Sequence, residues 1–219
     1  MKTIVVTSQK GGSSKSMLVA HLAVEAERAG DGPAWVIDTD RQGTLSRWHE
    51  RRKLDTPPRG DVRFEKLKEG LAKLAEKDAR YCFIDTAPTL STQTETLIGL
   101  ADFILIPVRP SPADLWAVTE TVQLVKLAAK PFFFAITQAK QHALITAQTI
   151  AVLSKHGPVA QSFIGDRVSY AAAMTSGNTA PEIEPKGPAA KEIENLWLEL
   201  KSSFHEKLNS ANGENTIPR

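Results

Sequence analysis

Short apolar runs alternate along the chain with longer segments whose apolar residues recur every three or four positions. The first run, residues 4–6, is wholly β-branched, which is typical of a buried strand. Leu18, Leu22 and Ala26 then lie on one side of a helix, because their spacing follows the helical turn. The same pattern predicts six strands, at residues 3–7, 34–37, 81–84, 103–106, 132–136 and 159–163.

Helices fill the segments between most of these strands. The periodic pattern predicts them at residues 15–28, 43–52, 66–76, 113–129, 144–155 and 189–207. Wholly apolar strands that alternate with helices indicate a mostly parallel sheet that is buried on both faces. We therefore expect a doubly wound, twisted α/β sheet with helices on both faces. It forms a single domain over residues 1–207, followed by a polar, flexible tail at 208–219.

Composition indicates in which cellular compartment the protein works, but it does not indicate a binding partner. The 219 residues carry a net charge of +2, so charge alone makes no case for nucleic acid. The single cysteine, Cys82, cannot form an internal disulfide, and its apolar neighbours predict a buried side chain. There is no signal-peptide pattern and no run of 18 apolar residues, so we expect a cytoplasmic protein.

A glycine- and serine-rich loop joins the first strand to the first helix. Small residues allow successive backbone N–H groups to converge on an anion, and the following helix N-terminus adds a positive dipole end. A lysine and a hydroxyl complete such a site for phosphates and magnesium. The loop departs from the standard G-x-x-x-x-G-K-[ST] pattern at both glycines, so a flexible turn stays an alternative. The candidate residues are Lys10, Gly11, Gly12, Ser13, Ser14, Lys15 and Ser16.

Three aspartates stand at or just past the ends of apolar strands. Asp38 and Asp40 follow the second strand, and Asp85 follows the third. In a doubly wound sheet, ligands bind beyond the carboxyl ends of the strands, so these carboxylates should share an edge with the glycine-rich loop. Each alone is equally explained as a helix cap or loop residue. Together they repel one another unless a cation is present, which indicates a Mg²⁺ site.

These segments together resemble the ParA/MinD family of deviant Walker-motif P-loop ATPases, and most of all its short ParA-type partition proteins. Residues 10–16 (KGGSSKS) resemble the family motif K-G-G-x-G-K-[ST], and residues 38–43 (DTDRQG) resemble D-x-D-P-Q-G. Residues 83–88 (FIDTAP) resemble the Walker B run, and residues 102–113 (DFILIPVRPSPA) resemble the strand and loop that follow it. The resemblance covers residues 2–205. It includes C-terminal matches at Arg167, Gly177 and residues 191–193 (KEI).

The resemblance implies ATP and Mg²⁺ as cofactors and assigns residues to them. Lys15 would contact the β- and γ-phosphates, within a nucleotide-binding loop of residues 11–16. Ser16 would ligate Mg²⁺, Asp85 would hold a water molecule on that ion, and Asp38 would support the metal region.

The resemblance also implies the catalytic residues, which are Lys10, Asp40 and again Lys15. Lys10 would be the signature lysine that crosses an ATP-bound sandwich dimer to the partner's nucleotide. Asp40 would position the attacking water. Three departures from the family pattern bear on these roles: a serine at 14 in place of glycine, an arginine at 41 in place of proline, and a threonine at 137 where many members have asparagine near the base.

A basic cluster follows the second strand and offers a surface for DNA. Its members are Arg41, Arg47, Arg51, Arg52, Lys53 and Arg59. A solvated helix face explains this pattern as well, and Trp48 is either a packing or a contact residue. Nonspecific DNA binding needs phosphate neutralisation and no base-reading motif. Weaker candidates lie near the C-terminus, at Lys186, Lys191 and Lys201.

The residues after the last predicted helix argue against membrane recruitment. Residues 209–219 contain a single large apolar residue, Ile217, whereas a membrane-binding helix needs a bulky apolar face. We expect the apolar residues before it to pack onto the core, namely Leu196, Trp197, Leu200 and Phe204.

The resemblance favours a DNA-partitioning ATPase that is nucleoid-associated. It would form an ATP-dependent homodimer, bind DNA nonspecifically and be reset when a ParB-like centromere-binding protein stimulates hydrolysis. Two main alternatives stay open, besides a weaker one, a biosynthetic P-loop enzyme, for which the sequence shows no substrate-specific motif. One is a noncatalytic, nucleotide-dependent adaptor, which Ser14 favours. The other is a VirC-like helper of conjugative DNA transfer, which would use the same DNA-binding chemistry with another partner.

Overall fold

The computed structural model describes residues 1–89, 91–140 and 143–212, with side chains described up to residue 204. Within these residues the chain forms five strands, nine α-helices and a short 3₁₀ helix at Phe64–Lys66. The strands are β1 (Lys2–Val6), β2 (Ala34–Asp38), β3 (Tyr81–Asp85), β4 (Phe103–Val108) and β5 (Phe132–Ile136). The helices are α1 (Lys15–Arg28), α2 (Thr44–Glu50), α3 (Leu67–Glu76), α4 (Thr92–Leu100), α5 (Pro112–Leu127), α6 (Leu144–Leu153), α7 (Val168–Thr175), α8 (Ala180–Ile183) and α9 (Pro188–Asn212).

The five strands form one parallel sheet in the order β2-β3-β1-β4-β5. The parallel α/β sheet is therefore confirmed. Strand register aligns Val6 with Asp85, and Asp85 with Asp38. Two of the three predicted aspartates thus stand side by side at the carboxyl edge, next to the start of the glycine-rich loop.

Helices cover both faces of the sheet because successive strand residues point to opposite sides. In β1, Ile4 and Val6 pack into one apolar cluster and Val5 into the other. The first cluster contains residues from α1, α2, α7, α8 and α9, and the second contains residues from α3, α4, α5 and α6. Cys82 is fully buried in the second cluster, as the sequence predicted.

The predicted strand at residues 159–163 is wrong. Its start lies beside β5, where Val159 forms an isolated parallel bridge with Phe134. The ladder then stops because the backbone N–H groups of Gln161 and Ser162 donate to the carboxylate of Glu199, at 2.7 Å each. A side chain from α9 thus takes the Ser162 N–H, which is the next donor that a sixth strand would have needed after the Ala160 N–H.

Three helices, α4, α7 and α8, were not predicted. The cap of α4 is local, since the hydroxyl of Ser91 accepts a hydrogen bond from the Thr94 N–H. The cap of α8 is local too, because Thr179 and Glu182 form a capping box. These signals are short polar patterns rather than apolar periodicity.

The last helix packs onto the core as expected. Leu196, Trp197 and Leu200 are at most 1 % exposed, and Phe204 packs against the same cluster. The helix is described through Asn212, beyond its predicted end at residue 207. Residues 213–219 of the predicted tail lie outside the described residues. None of the helices in the described part of the chain is long and apolar enough to cross a membrane.

Candidate functional site

The glycine-rich loop lies between β1 and α1, at the carboxyl end of the central strand. Gly12 adopts a φ of 73°, which a glycine adopts without steric cost. The ammonium of Lys15 donates to the carbonyl oxygens of Ser8 and Lys10, both at 3.2 Å. The hydroxyl of Ser13 donates to the same Lys10 carbonyl at 3.0 Å. The Lys15 side chain therefore folds back on the loop and links its end to its beginning through hydrogen bonds.

Lys15 is a buried cation, with 7 % of its surface exposed. Burial lowers the pKa of this ammonium, because charge is costly away from water. Asp85 and Asp40 oppose that effect and raise the pKa, whereas Arg109 lowers it further. Two carboxylates and a second cation thus lie close enough to the loop lysine to affect its charge.

Asp85 and Ser16 form the most direct contact between the loop and the strand ends. The Ser16 hydroxyl donates to Oδ2 of Asp85 at 2.5 Å. Within the part of the chain that the structure describes, the buried Oδ1 of Asp85 has no hydrogen-bond partner. Burial raises the pKa of this carboxyl to about 7, with the nearby carboxylates of Asp38 and Asp40 adding to the rise. The Ser16 hydrogen bond and the charge of Lys15 lower this pKa only in part, so one oxygen of a buried carboxyl is left without a partner in the described part of the chain.

This oxygen fits a divalent cation. Mg²⁺ prefers oxygen ligands, keeps several waters and needs only one or two protein side chains when phosphates are present. Ser16 and Asp85 supply a hydroxyl and a carboxylate side by side. No group of three or more His, Cys, Asp or Glu residues that would form an all-protein metal cage occurs in residues 1–89, 91–140 and 143–212.

The other two aspartates shape the loop after β2. Asp38 accepts hydrogen bonds from the Asp40 N–H at 3.0 Å and from the N–H and hydroxyl of Ser46 at 2.8 and 2.9 Å. Asp40 accepts one from the Gln42 N–H at 2.9 Å. Both oxygens of Asp38 thus cap the turn and the start of α2. Its assignment to the metal region stays a prediction.

Two residues that sequence reasoning missed complete the loop's surroundings. The side-chain amide of Gln138 donates to the Gly12 carbonyl at 2.8 Å and to the Ser14 hydroxyl at 3.2 Å. The guanidinium of Arg109 pairs with Asp114 at 3.0 Å. A Cβ built on Gly12 would lie 3.3 Å from its Nη1. Both residues stand just past the end of a strand, so the rule that selected the aspartates identifies them too.

The threonine at 137 also contacts the loop. Thr137 is fully buried, and its hydroxyl donates to the Ser13 carbonyl at 3.2 Å. A cavity of about 350 Å³ opens beside the loop on this side. It is lined in part by Ser14, Met17 and Gln138 from the loop side, and by residues 165–167 and Tyr170 from the opposite side.

The sequence profile of the CobQ/CobB/MinD/ParA nucleotide binding domain matches residues 4–180 of the chain. The chain belongs to this family. The resemblance to ParA/MinD ATPases is thereby confirmed, and the matched segment contains the loop, all three aspartates and the lining of the cavity as far as Met174.

Known members of the ParA/MinD family are similar over nearly the whole chain. "Maintenance of carboxysome distribution protein A" of Halothiobacillus neapolitanus is 26 % identical over 208 residues, which cover 90 % of this chain and 95 % of that protein. "Protein ParA" of Rhizobium radiobacter is 24 % identical over 207 residues, covering 89 % and 92 %. The septum site-determining protein MinD of Pyrococcus horikoshii, solved with Mg-ADP, shares the fold with a TM-score of 0.74 and 16 % identity, covering 91 % and 95 %.

The basic cluster of this ParA/MinD-family chain is only partly available at the surface. Its exposed members are Arg41, Arg47, Arg51 and Lys53, and Arg59 is half-buried. Arg52 instead forms a buried ion pair with Glu182 at 2.8 Å, with 2 % of its side chain exposed. Trp48 is 2 % exposed and donates its indole N–H to the Asn178 carbonyl, so it is a packing residue.

The C-terminal lysines also include both paired and exposed side chains. Lys201 forms an ion pair with Asp31 at 2.5 Å, so its charge is partly neutralised. Lys186 and Lys191 are exposed.

Proposed function

We propose that this chain is a Mg²⁺-dependent ATPase of the partition type. The buried Oδ1 of Asp85 carries the proposal, because it lies beside Ser16 and Lys15 at the mouth of a phosphate-type loop with no partner among the described residues. A bound Mg²⁺ would give this oxygen a partner and would stabilise negative charge on the phosphates. The Mg-ADP bound to the structurally similar MinD supports the same ligand pair here.

Different residues of the chain bind the phosphates, hold the metal ion and orient the water. Lys15 neutralises the outer phosphates, and the backbone N–H groups of residues 11–16 bind their oxygens. Ser16 and Asp85 hold the metal region, directly or through water. Asp40 orients the attacking water.

Two further charged groups lie at the mouth of the loop. Arg109 lies next to Gly12 and is paired with Asp114, which holds its guanidinium beside the loop. Lys10 is half-buried in the same loop and crosses to the partner's nucleotide in the ATP-bound homodimer.

The cavity beside the loop is the site for the nucleotide base. It adjoins Ser14 and Met17, so a nucleotide with its phosphates in the loop reaches it without crossing another element. Its volume of about 350 Å³ lies in the usual range for small-ligand pockets.

ATP binding is tested by calorimetry on Lys15→Ala. This change removes charge-assisted hydrogen bonds worth about 1.5–3 kcal/mol each, so ATP affinity should fall at least about tenfold. Lys73→Ala, an exposed lysine on α3, is the matched control and should bind ATP as the wild type does. Equal ATP affinity in the wild type and Lys15→Ala would refute the site.

The proposed cellular role is cytoplasmic and nucleoid-associated. The ATP-bound homodimer coats DNA without sequence preference, through the exposed arginines of the basic cluster. A ParB-like partner resets it by stimulating hydrolysis. Dimerisation doubles the number of phosphates neutralised, so nucleotide state switches DNA affinity without any base-reading element.

DNA binding is tested with ATP, with ADP and without nucleotide, at several salt concentrations. Affinity should be highest with ATP and should fall with salt at a log–log slope of about −0.9 per neutralised phosphate. Arg47→Glu combined with Arg51→Glu should weaken binding to all sequences alike and leave ATP affinity unchanged. Equal DNA binding in the three nucleotide states would refute the switch. ATP binding without hydrolysis would favour the noncatalytic adaptor.

The similarity to the carboxysome distribution protein favours a second candidate function, in which the ATPase moves a protein compartment and not DNA. In that case the same ATPase would position a protein compartment over the nucleoid rather than a plasmid. Deletion of the gene separates the two cargoes, because plasmid loss over generations supports DNA partition. A clustered protein compartment with normal plasmid retention supports the other cargo.

A further inference from the structure

A single carboxylate on α9 accepts four hydrogen bonds from the far wall of the base cavity. Oε1 of Glu192 accepts from Nε and Nη2 of Arg167, at 2.9 and 2.7 Å. Oε2 accepts from the Gly165 backbone N–H at 2.9 Å and from the Tyr170 hydroxyl at 2.7 Å. One side chain that stands outside the cavity lining therefore joins all three donor residues, although the Tyr170 hydroxyl also lies 3.2 Å from the Ala189 carbonyl oxygen.

The donors belong to a part of the wall whose backbone is also hydrogen-bonded to Ile136 and Ala139, through the N–H groups of Ile164 and Asp166. Residues 165–167 lie between the end of the chain segment beside β5 and the start of α7, outside any regular element. Gly165 is close to Glu192, since a Cβ built there would lie 3.1 Å from Oε1. Without the carboxylate, the guanidinium of Arg167 loses the acceptor that fixes its direction, and the Gly165 N–H loses its hydrogen-bond partner.

Tyr170, the third residue that donates to Glu192, is buried in the core. It is 5 % exposed, and its ring packs edge-to-face against His21 of α1 at 5.2 Å between centroids. Burial and the neighbouring carboxylate both raise the pKa of this phenol, so its hydroxyl stays protonated and donates to Glu192. Glu192 thus links residues 165–167 to a side chain that packs on the helix that follows the phosphate loop.

We propose that Glu192 is a positioning residue for nucleotide-base recognition, and that it acts by fixing Gly165, Arg167 and Tyr170 along one wall of the cavity. It touches neither phosphate nor metal residues, so its contribution belongs to the base-dependent part of ATP affinity. This inference rests on the proposed assignment of the cavity to the base.

The same helix provides a matched control. Glu199 lies two helical turns further along α9 and holds the backbone N–H groups of Gln161 and Ser162 in the same manner. None of these three residues lines the base cavity. A substitution at Glu199 therefore loosens a neighbouring segment from α9 without reaching the wall of the nucleotide site.

The test compares the affinities of ATP and of inorganic triphosphate, each with Mg²⁺, by calorimetry. Glu192→Gln keeps the shape of the side chain but places an amide NH₂ among donors, because the Gly165 N–H and both Arg167 N–H groups can only donate. The ratio of ATP to triphosphate affinity should fall at least about tenfold, which corresponds to 1.4 kcal/mol. Triphosphate affinity should change less than about twofold, and Glu199→Gln should keep the wild-type ratio.

Tyr170→Phe is a second variant, which removes one of the four donors and keeps the ring. Its ratio of ATP to triphosphate affinity should also fall, but by a smaller factor. If circular dichroism finds Glu192→Gln unfolded, the result for Tyr170→Phe tests the proposal instead. An unchanged ratio in the folded variant, or the same fall in Glu199→Gln, would overturn the role of Glu192 while ATP binding by the wild type stands. If the wild type binds ATP no more tightly than triphosphate, the base cavity is wrong and the inference falls with it.

Discussion

Ser14 is held in a backbone conformation that suits glycine. Its φ and ψ are 73° and 23°, in the left-handed region, at the N-cap of α1. This region costs a non-glycine residue about 1–2 kcal/mol, because Cβ approaches the following carbonyl oxygen. The family motif has glycine at this place, so Ser14→Gly should release strain at the phosphate loop.

The magnitude follows from comparing Ser14→Gly with Ser14→Ala. Both variants lose the hydroxyl that accepts from Gln138, so their difference isolates the backbone. Glycine loses about 0.4–1 kcal/mol more chain entropy than alanine on folding, which offsets part of the strain. The glycine variant should therefore be more stable than the alanine variant by about 0.5–1 kcal/mol. For a chain of this size that difference raises the melting midpoint by roughly 1–4 °C.

Urea and thermal unfolding without nucleotide, followed by circular dichroism, measure this difference. We also expect Ser14→Gly to bind ATP more tightly than the wild type, because a Cβ and hydroxyl crowd the phosphate position. An alanine variant as stable as the glycine variant would refute the strain argument. Unchanged ATP affinity and turnover in Ser14→Gly would mean that the loop has already adapted to serine.

Three other predictions address a buried histidine, an ion pair and the residue that positions the catalytic water. His21 is fully buried between the Met17 carbonyl and the Ala180 N–H, and burial lowers its pKa from 6.5 to about 4. The unfolded chain binds the proton first, so about 3 kcal/mol of stability should be present above pH 6.5 and lost as pH falls towards 4. Urea unfolding against pH should be flatter in His21→Gln. Arg52→Ala removes the ion pair but leaves Glu182 its hydrogen bonds from Thr179, so it should cost about 1.5–3 kcal/mol, against about 0.5 kcal/mol or less for the exposed Arg51→Ala. Asp40→Ala should retain ATP binding in calorimetry, lose hydrolysis in a phosphate-release assay, and lengthen the life of the ATP dimer.

Each of these has a contrary outcome. A wild-type pH dependence in His21→Gln would mean that another group carries the acid sensitivity. Equal stability losses in Arg52→Ala and Arg51→Ala would remove the ion pair with Glu182 as an anchor of α2. Hydrolysis at the wild-type rate in Asp40→Ala would exclude that residue from positioning the water.

The sequence by itself determined the parallel sheet and the residues at its carboxyl edge. The central residues of β1 (residues 4–6) and β3 (residues 82–84) are apolar and buried, and the strand ends are marked by a glycine-rich loop and by Asp85. These signals are local, because burial of a strand and the direction of its carboxyl end follow from a few consecutive residues.

Only the tertiary structure decided which distant side chains reach the loop and the cavity. Gln138 contacts Gly12 across 126 positions, and Arg52 pairs with Glu182 across 130. Glu199 ends the predicted sixth strand by taking the Ser162 N–H, and Glu192 holds the opposite side of the cavity. No periodicity records such contacts, since a side chain binds a backbone group that packing alone brings near. The unpaired oxygen of Asp85 is of the same kind, because burial and the absence of a neighbour among the described residues exist only once the sheet is assembled.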